Sequence, residues 1–155
     1  MVAARTAKYC LLLPLTGPEQ EDAGRLAEQA VAGATGPRRR WAGAAQGLAD
    51  YRGGRFADAV AAIDKAQAAD GDGAWDLQVF AGCVRSMALM RLGSRDEARA
   101  AVMKASGLYR SNVQQATALD PGAFWADLLI CEVLHREAEA LVVYDPAFPA
   151  NPFAR

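Results

Sequence analysis

Apolar residues recur along this chain at three- and four-residue steps, and glycine or alanine holds fixed places in that rhythm. The stretch Tyr51–Ala66, YRGGRFADAVAAIDKA, sets the pattern. Leu48 and Tyr51 share a face before Gly53-Gly54, and Phe56, Ala59, Val60, Ile63 and Ala66 form an apolar stripe after it. This spacing predicts helix, tight turn, helix. The phrase returns as Met90–Ala105, MRLGSRDEARAAVMKA, with Gly93 for Gly54, Ala98 for Ala59, Val102 for Ile63 and Ala105 for Ala66. Small residues at matching offsets predict two antiparallel helices in close approach, used twice.

The same rules divide the rest of the chain. A first helix is expected from Val2 to Leu13, stopped by Pro14. The acidic run Glu19–Asp22 favours the next helix start, whose face carries Ala23, Leu26, Ala27, Ala30 and Val31. Pro37 suits the first turn of a third helix running through Trp41, Ala45 and Leu48 to Tyr51. A fourth spans about Arg55 to Ala69 and meets the breaker Asp70-Gly71-Asp72-Gly73. The fifth covers Ala74 to Leu92, with Leu77, Phe80, Ala81, Val84, Ala88 and Leu89 inward. Ser94 and Glu97 form a capping-box pattern for the sixth, which is expected to break near Gly107 on its way to Ala118. The seventh, about Gly122 to Val143, would bury Trp125, Leu128, Leu129, Val133, Leu134, Ala138 and Leu141. Residues 145–155 are Pro-rich and cannot continue a helix, so residues 1–144 form the expected helical domain. About seven antiparallel helices alternating with short turns predict an all-α protein of solenoid type.

At this point the residues resemble a known family. AAQGLADYRGGRFADAVAAIDKA looks like a tetratricopeptide repeat, with Gly47 at the small position of its first helix and Gly54, Phe56, Ala59 and Ala66 on its turn and second helix. Ser86 takes the small position of the following repeat, while Gly43 and Gly82 stand where that family usually has a large aromatic. The resemblance implies a right-handed α–α superhelix. RTAKYCLLLP, GLADYRGGRFADAV, LMRLGSRDEARAA and WADLLICEVLHREAEAL together are also similar to a C-terminal helical region of bacterial, mostly planctomycete-type, multidomain proteins. Those carry serine/threonine kinase or WD-repeat propeller segments ahead of the helices. This implies a signalling context and that Met1 begins a piece of a longer chain.

Composition narrows the functional classes. The 155 residues suit one domain, and 17 basic against 18 acidic residues give nucleic acid no electrostatic footing. Cys10, Cys83 and Cys131 are odd in number, lie in apolar runs and lack metal spacing. They read as buried free thiols of a reducing, cytoplasmic compartment. No apolar run is long enough for a membrane span.

Candidate chemistry is sparse. Gly71 and Gly73 flank aspartates that would repel a phosphate, and the sequence holds no phosphate-binding glycine motif. Asp70, Asp72 and Asp76 suggest calcium, but Ala74 and Trp75 stand where its loop needs an oxygen ligand and a glycine. His135 is the single histidine, one turn after Cys131, and reads as a surface residue beside a packed thiol rather than half of a nucleophile pair. Glu132, Glu137 and Glu139 read as exposed helix charges, and Arg38-Arg39-Arg40 as a solvated run. Neither cofactor, metal nor small-molecule substrate is expected.

What remains is a surface. In the resembled family the first helix of each pair lines a concave side that carries peptides. Here that places Trp41, Leu48, Tyr51 and Arg52, then Phe80, Met87, Met90 and Arg91, toward a protein or peptide partner, with Lys8 and Leu12 extending the groove. Apolar anchors beside guanidinium groups suit peptide segments bearing carboxylates, although for each apolar residue taken singly inter-helix core is the favoured reading. Arg52 and Arg91 recur at one repeat offset. The carboxylate clamp of chaperone-binding relatives is absent, with Ala44 and Leu48 in two of its places. The alternative is a structural module packing on a neighbouring domain or a second copy as a homodimer. An enzyme would need an activity carried by His135 or Cys131.

Overall fold

The computed structural model describes residues 2–68, 74–119 and 125–143, and the expected tail at 145–155 and the turn at Asp70–Gly73 lie outside them. Among the described residues there are seven helices and no strand. They are α1 (Val2–Cys10), α2 (Pro18–Gly33), α3 (Arg38–Arg52), α4 (Phe56–Ala68), α5 (Trp75–Arg91), α6 (Arg95–Leu119) and α7 (Trp125–Val142). Each helix packs on the next in sequence, and α3 also meets α1 and α5, while α5 meets α7. None of the helices is long and apolar enough to cross a membrane.

The two predicted hairpins are built alike, thirty-nine residues apart. Gly54 has φ 76° and Gly93 φ 85°, a left-handed conformation that side chains with a Cβ resist. Each glycine closes the same cap. The Gly54 N–H donates to Tyr51 O (3.1 Å) and the Arg55 N–H to Asp50 O (2.8 Å). The Gly93 N–H donates to Met90 O (3.2 Å) and the Ser94 N–H to Leu89 O (3.0 Å). These bonds satisfy carbonyls that a helix end leaves open and turn the chain back on itself.

Small residues then set the helix spacing. A Cβ on Gly43 would stand 2.9 Å from the Ala66 methyl, and one on Gly82 would stand 3.0 Å from the Ala105 methyl. Ala59, Ile63, Ala98 and Val102 are fully buried behind them. The places where a large aromatic was expected to be missing are thus the contact points of the two pairs. Ser86 fills the position matching Gly47, is buried, and donates its hydroxyl to Cys83 O at 2.8 Å.

Several expectations need correction. α1 ends at Cys10, not Leu13. Backbone carbonyls of Leu11 and Leu12 are taken by Arg52 instead of by a further helical turn. α6 passes Gly107 unbroken. Gly107 is exposed with open space around it, so it weakens the helix by about 1 kcal/mol without forcing a kink. α7 is rotated from the expected phase. Ile130, Cys131, Leu134, Ala138 and Val142 are buried, whereas Leu129 faces outward at 44% exposure.

Candidate functional site

The residues expected on one face do converge, but mostly inside the molecule. Leu48, Phe80 and Met87 have no exposed surface and Tyr51 is 7% exposed. Trp41 and Met90 are half-buried and Arg91 is exposed. Trp41 and Phe80, which are repeat equivalents, meet edge-on at 6.1 Å between ring centres. Leu48, Phe80 and Met87 therefore hold helices together and offer another chain no direct contact in this arrangement.

Two of the charged members, Arg52 and Lys8, are engaged by α7. Arg52 ends α3 and its side chain is 4% exposed. Its guanidinium grips the Glu137 carboxylate with two bonds of 2.5 and 2.6 Å. Its Nε donates to Leu11 O (3.0 Å) and its Nη2 to Leu12 O (2.9 Å). One side chain thus closes the end of α1, stiffens α3 and receives α7. Breaking a buried pair of this kind from one side costs about 3–5 kcal/mol. Glu137 is 30% exposed, so solvent brings the figure toward the lower end.

Ten residues back along α7, about 15 Å away, lies a second junction near its start. Lys8 of α1 is 5% exposed, stacks its ammonium 3.8 Å from the centre of the Trp41 ring, and pairs with Asp127 at 2.9 Å. Asp76 of α5 lies in the same field. Burial pushes its carboxyl above the usual range, its bond from the Leu77 N–H opposes this, and Asp127 adds a smaller upward push. The Cys131 thiol donates to the Asp76 carbonyl at 3.3 Å. Burial first, then Asp76 and Asp127, raise that thiol to about 12. Burial likewise raises Cys83, with Cys131 adding to it. Burial thus favours the neutral thiol over the nucleophilic thiolate at both positions. Cys10, expected to be buried, is exposed.

Toward the other end, Tyr51 lies between Arg91 and Glu137. Burial raises its phenol most, Glu137 adds to the rise, and a hydrogen bond with Arg91 opposes both. Arg91 and Arg52 therefore flank one aromatic ring, though only Arg91 is open to solvent.

α6 meets the opposite flank of α7, and here His135 departs from its expected surface position. It is 6% exposed and stacks on Tyr109 with ring centres 4.9 Å apart. Its Nε2 lies 2.8 Å from Ser106 Oγ and 3.3 Å from Glu139 Oε1. A serine, a histidine and a carboxylate so close invite comparison with a nucleophile relay. Such a relay needs hydroxyl and carboxylate on opposite ring nitrogens. Here both meet the same nitrogen, and the Ser106 hydroxyl donates to Glu139 itself at 3.1 Å. The cluster joins helices. Glu132 belongs to the same seam: the Tyr109 hydroxyl lowers its pKa most, burial opposes this, and Arg136 lowers it further.

A polar cleft of about 300 Å³ lies between α4 and α6 over Gly82, edged by Asp64, Arg85 and Lys104. Arg85 is already paired with Asp64 at 2.8 Å. Of the acidic turn that suggested calcium, only Asp76 is among the described residues, and no cluster of potential metal ligands occurs among them. Lys8, Tyr51, Arg52 and Arg91 were expected on the inner face, whereas Glu137 was expected as a surface charge and Asp127 and Ser106 had no expected role. The recurrence of arginine at one offset was the available signal, since a buried cation calls for an anion.

No protein-family model matches the chain, and neither a curated protein nor a solved structure matches it significantly.

Proposed function

We propose that this chain is a non-catalytic protein–protein interaction scaffold, a tetratricopeptide-like superhelix whose inner face receives a protein or peptide, within a larger bacterial signalling protein of the cytoplasm. The observation that carries the reading is the hairpin used twice. The same glycine cap, the same glycine–alanine contact and the same arginine recur thirty-nine residues apart. Stacked hairpins of this kind generate an extended surface rather than an enclosed reaction site. On that surface Trp41, Met90 and Arg91 supply aromatic, thioether and guanidinium groups, with Leu48, Tyr51, Arg52, Phe80 and Met87 beneath them. Such a set suits a polypeptide bearing carboxylates.

A second reading, self-association, is favoured by Leu129 (44% exposed) on the outer side of α7 and Val143 (58% exposed) just past its end. The test compares partners captured by the wild-type chain and by Arg91→Glu, with light scattering on both samples. A specific partner lost on charge reversal, from a variant that melts like wild type, supports the scaffold. A partner retained unchanged moves binding to another surface, and a concentration-dependent dimer with no partner favours self-association.

A further inference from the structure

We propose that α7 is the resident occupant of an acceptor face made by α5, flanked by α6 and completed by the Lys8 and Arg52 side chains of α1 and α3, and that the partner of this face is an acidic amphipathic helix that takes the place of α7. This rests on the scaffold reading and names both its ligand class and its regulation.

The first argument is the placement of α7. It packs on α5, while α6 meets one flank through His135 and Glu139. Its other contacts reach across to α1 through Asp127 and to α3 through Glu137. With successive residues 100° apart, Asp127, Cys131, Leu134 and Ala138 fall in the middle of the buried arc and Glu137 at its edge. Asp127 and Glu137 are ten residues apart, about 15 Å along the helix. They meet two cations on two different helices. This is the pattern of a helix laid in a groove, with apolar anchors between charged ends.

The second argument is an asymmetry of burial. The cations are embedded, with side chains of Lys8 and Arg52 exposed by 7% and 4%. Their carboxylate partners are exposed by 27% and 30%. With α7 in place the positive charges lie deeper than the negative charges that it brings to them.

The third argument is preorganisation. Arg52 remains aimed by the Leu11 and Leu12 carbonyls whichever carboxylate it holds, and Lys8 remains over the Trp41 ring. A face whose cations are already positioned loses little freedom on exchanging one acidic helix for another. Among the described residues Glu137 supplies the carboxylate that Arg52 meets, so a departing α7 leaves a demand that only another anion satisfies. Because α7 is tethered, its local concentration is high, and an incoming helix must outcompete it. The chain as it stands is therefore self-inhibited.

The experiment uses the whole chain and a fluorescein-labelled peptide of residues 125–143, read by anisotropy. Wild-type chain is expected to bind this peptide weakly. Glu137→Lys in the chain places a cation opposite Arg52, loosens α7, and is expected to tighten binding of the wild-type peptide at least tenfold. A peptide carrying Glu137→Lys should bind neither chain. If the Glu137→Lys chain loses its helical circular dichroism, Glu137→Gln replaces it, with the same direction expected. Equal affinity of wild-type and variant chains for the peptide overturns the proposal, as does equal binding of the charge-reversed peptide. Dimerisation of the variant in place of peptide uptake overturns it in favour of α7 exchange between copies. A negative result beside a partner still lost on Arg91→Glu would remove this occupant and leave the scaffold reading standing.

Discussion

Gly43 and Gly24 are both helical glycines with opposite duties. A methyl at Gly43 would meet the Ala66 methyl at 2.9 Å, and alanine has no rotamer with which to withdraw. A methyl at Gly24 meets nothing within 4 Å. Alanine gains roughly 0.5–1 kcal/mol over glycine in a helix interior, whereas overpacking a tight contact costs about 1–3 kcal/mol. Gly24→Ala is therefore expected to stabilise the chain by roughly 0.5–1 kcal/mol. Gly43→Ala should destabilise it by roughly 1 kcal/mol net. Urea unfolding of the two variants checks both signs, and a gain at Gly43 would mean that α3 and α4 are not in contact there. Arg52 illustrates the other kind of residue effect. Its recurrence with Arg91 was plain in the sequence, yet the two arginines have different tasks, one sealing α1 and α7 and the other facing solvent beside Tyr51.

At the scale of elements, the turns were the most legible feature and the helix ends the least. Gly-Gly before an apolar stripe and Leu-Gly-Ser before its echo predict the two caps, because local geometry alone requires a left-handed residue there. Gly54→Ala and Gly93→Ala should each cost roughly 1–2 kcal/mol, the penalty for a Cβ in that conformation. Their similarity is the sharper prediction. Equal losses in chemical denaturation follow from equivalent caps, and a tolerated substitution at either site would mean that its turn changes type. By contrast, the apolar run Cys10–Leu13 carries the α1 periodicity onward, while Pro14 discourages helical backbone at the residue before it. The Arg52 side chain, forty residues distant, takes the freed carbonyls. Continuity of α6 through Gly107 depends in the same way on partners from α7, through Ser106 with His135 and Tyr109 with Glu132. The rotation of α7 went unseen because Leu128, Leu129, Ile130 and Val133 surround much of the helix, leaving the buried arc undecided by hydropathy.

For the whole molecule, the decisive quantity is which groups stay dry until the helices separate. Cys10 is exposed, whereas Cys83 and Cys131 are buried with raised pKa values. A thiol reagent at neutral pH is expected to modify one cysteine of the native chain rapidly. The other two should follow only as fast as the structure opens, and all three should react at once in denaturant. Three fast thiols in native buffer would contradict the packing of α5 against α7. Rapid loss of the Cys131 thiol alone would locate the opening at α7. Taken by itself, the sequence determined the helical class, the seven helices found among the described residues, both glycine caps and the thirty-nine-residue register. These follow from near-neighbour spacing and from backbone preferences that act over a few residues. Tertiary structure alone decided that α7 lies along α5 with its carboxylates on Lys8 and Arg52, that His135 is interior, and that most of the expected binding face is enclosed. Those outcomes depend on charges and surfaces separated by up to 119 residues, and no local pattern records which distant partner will be brought within 3 Å.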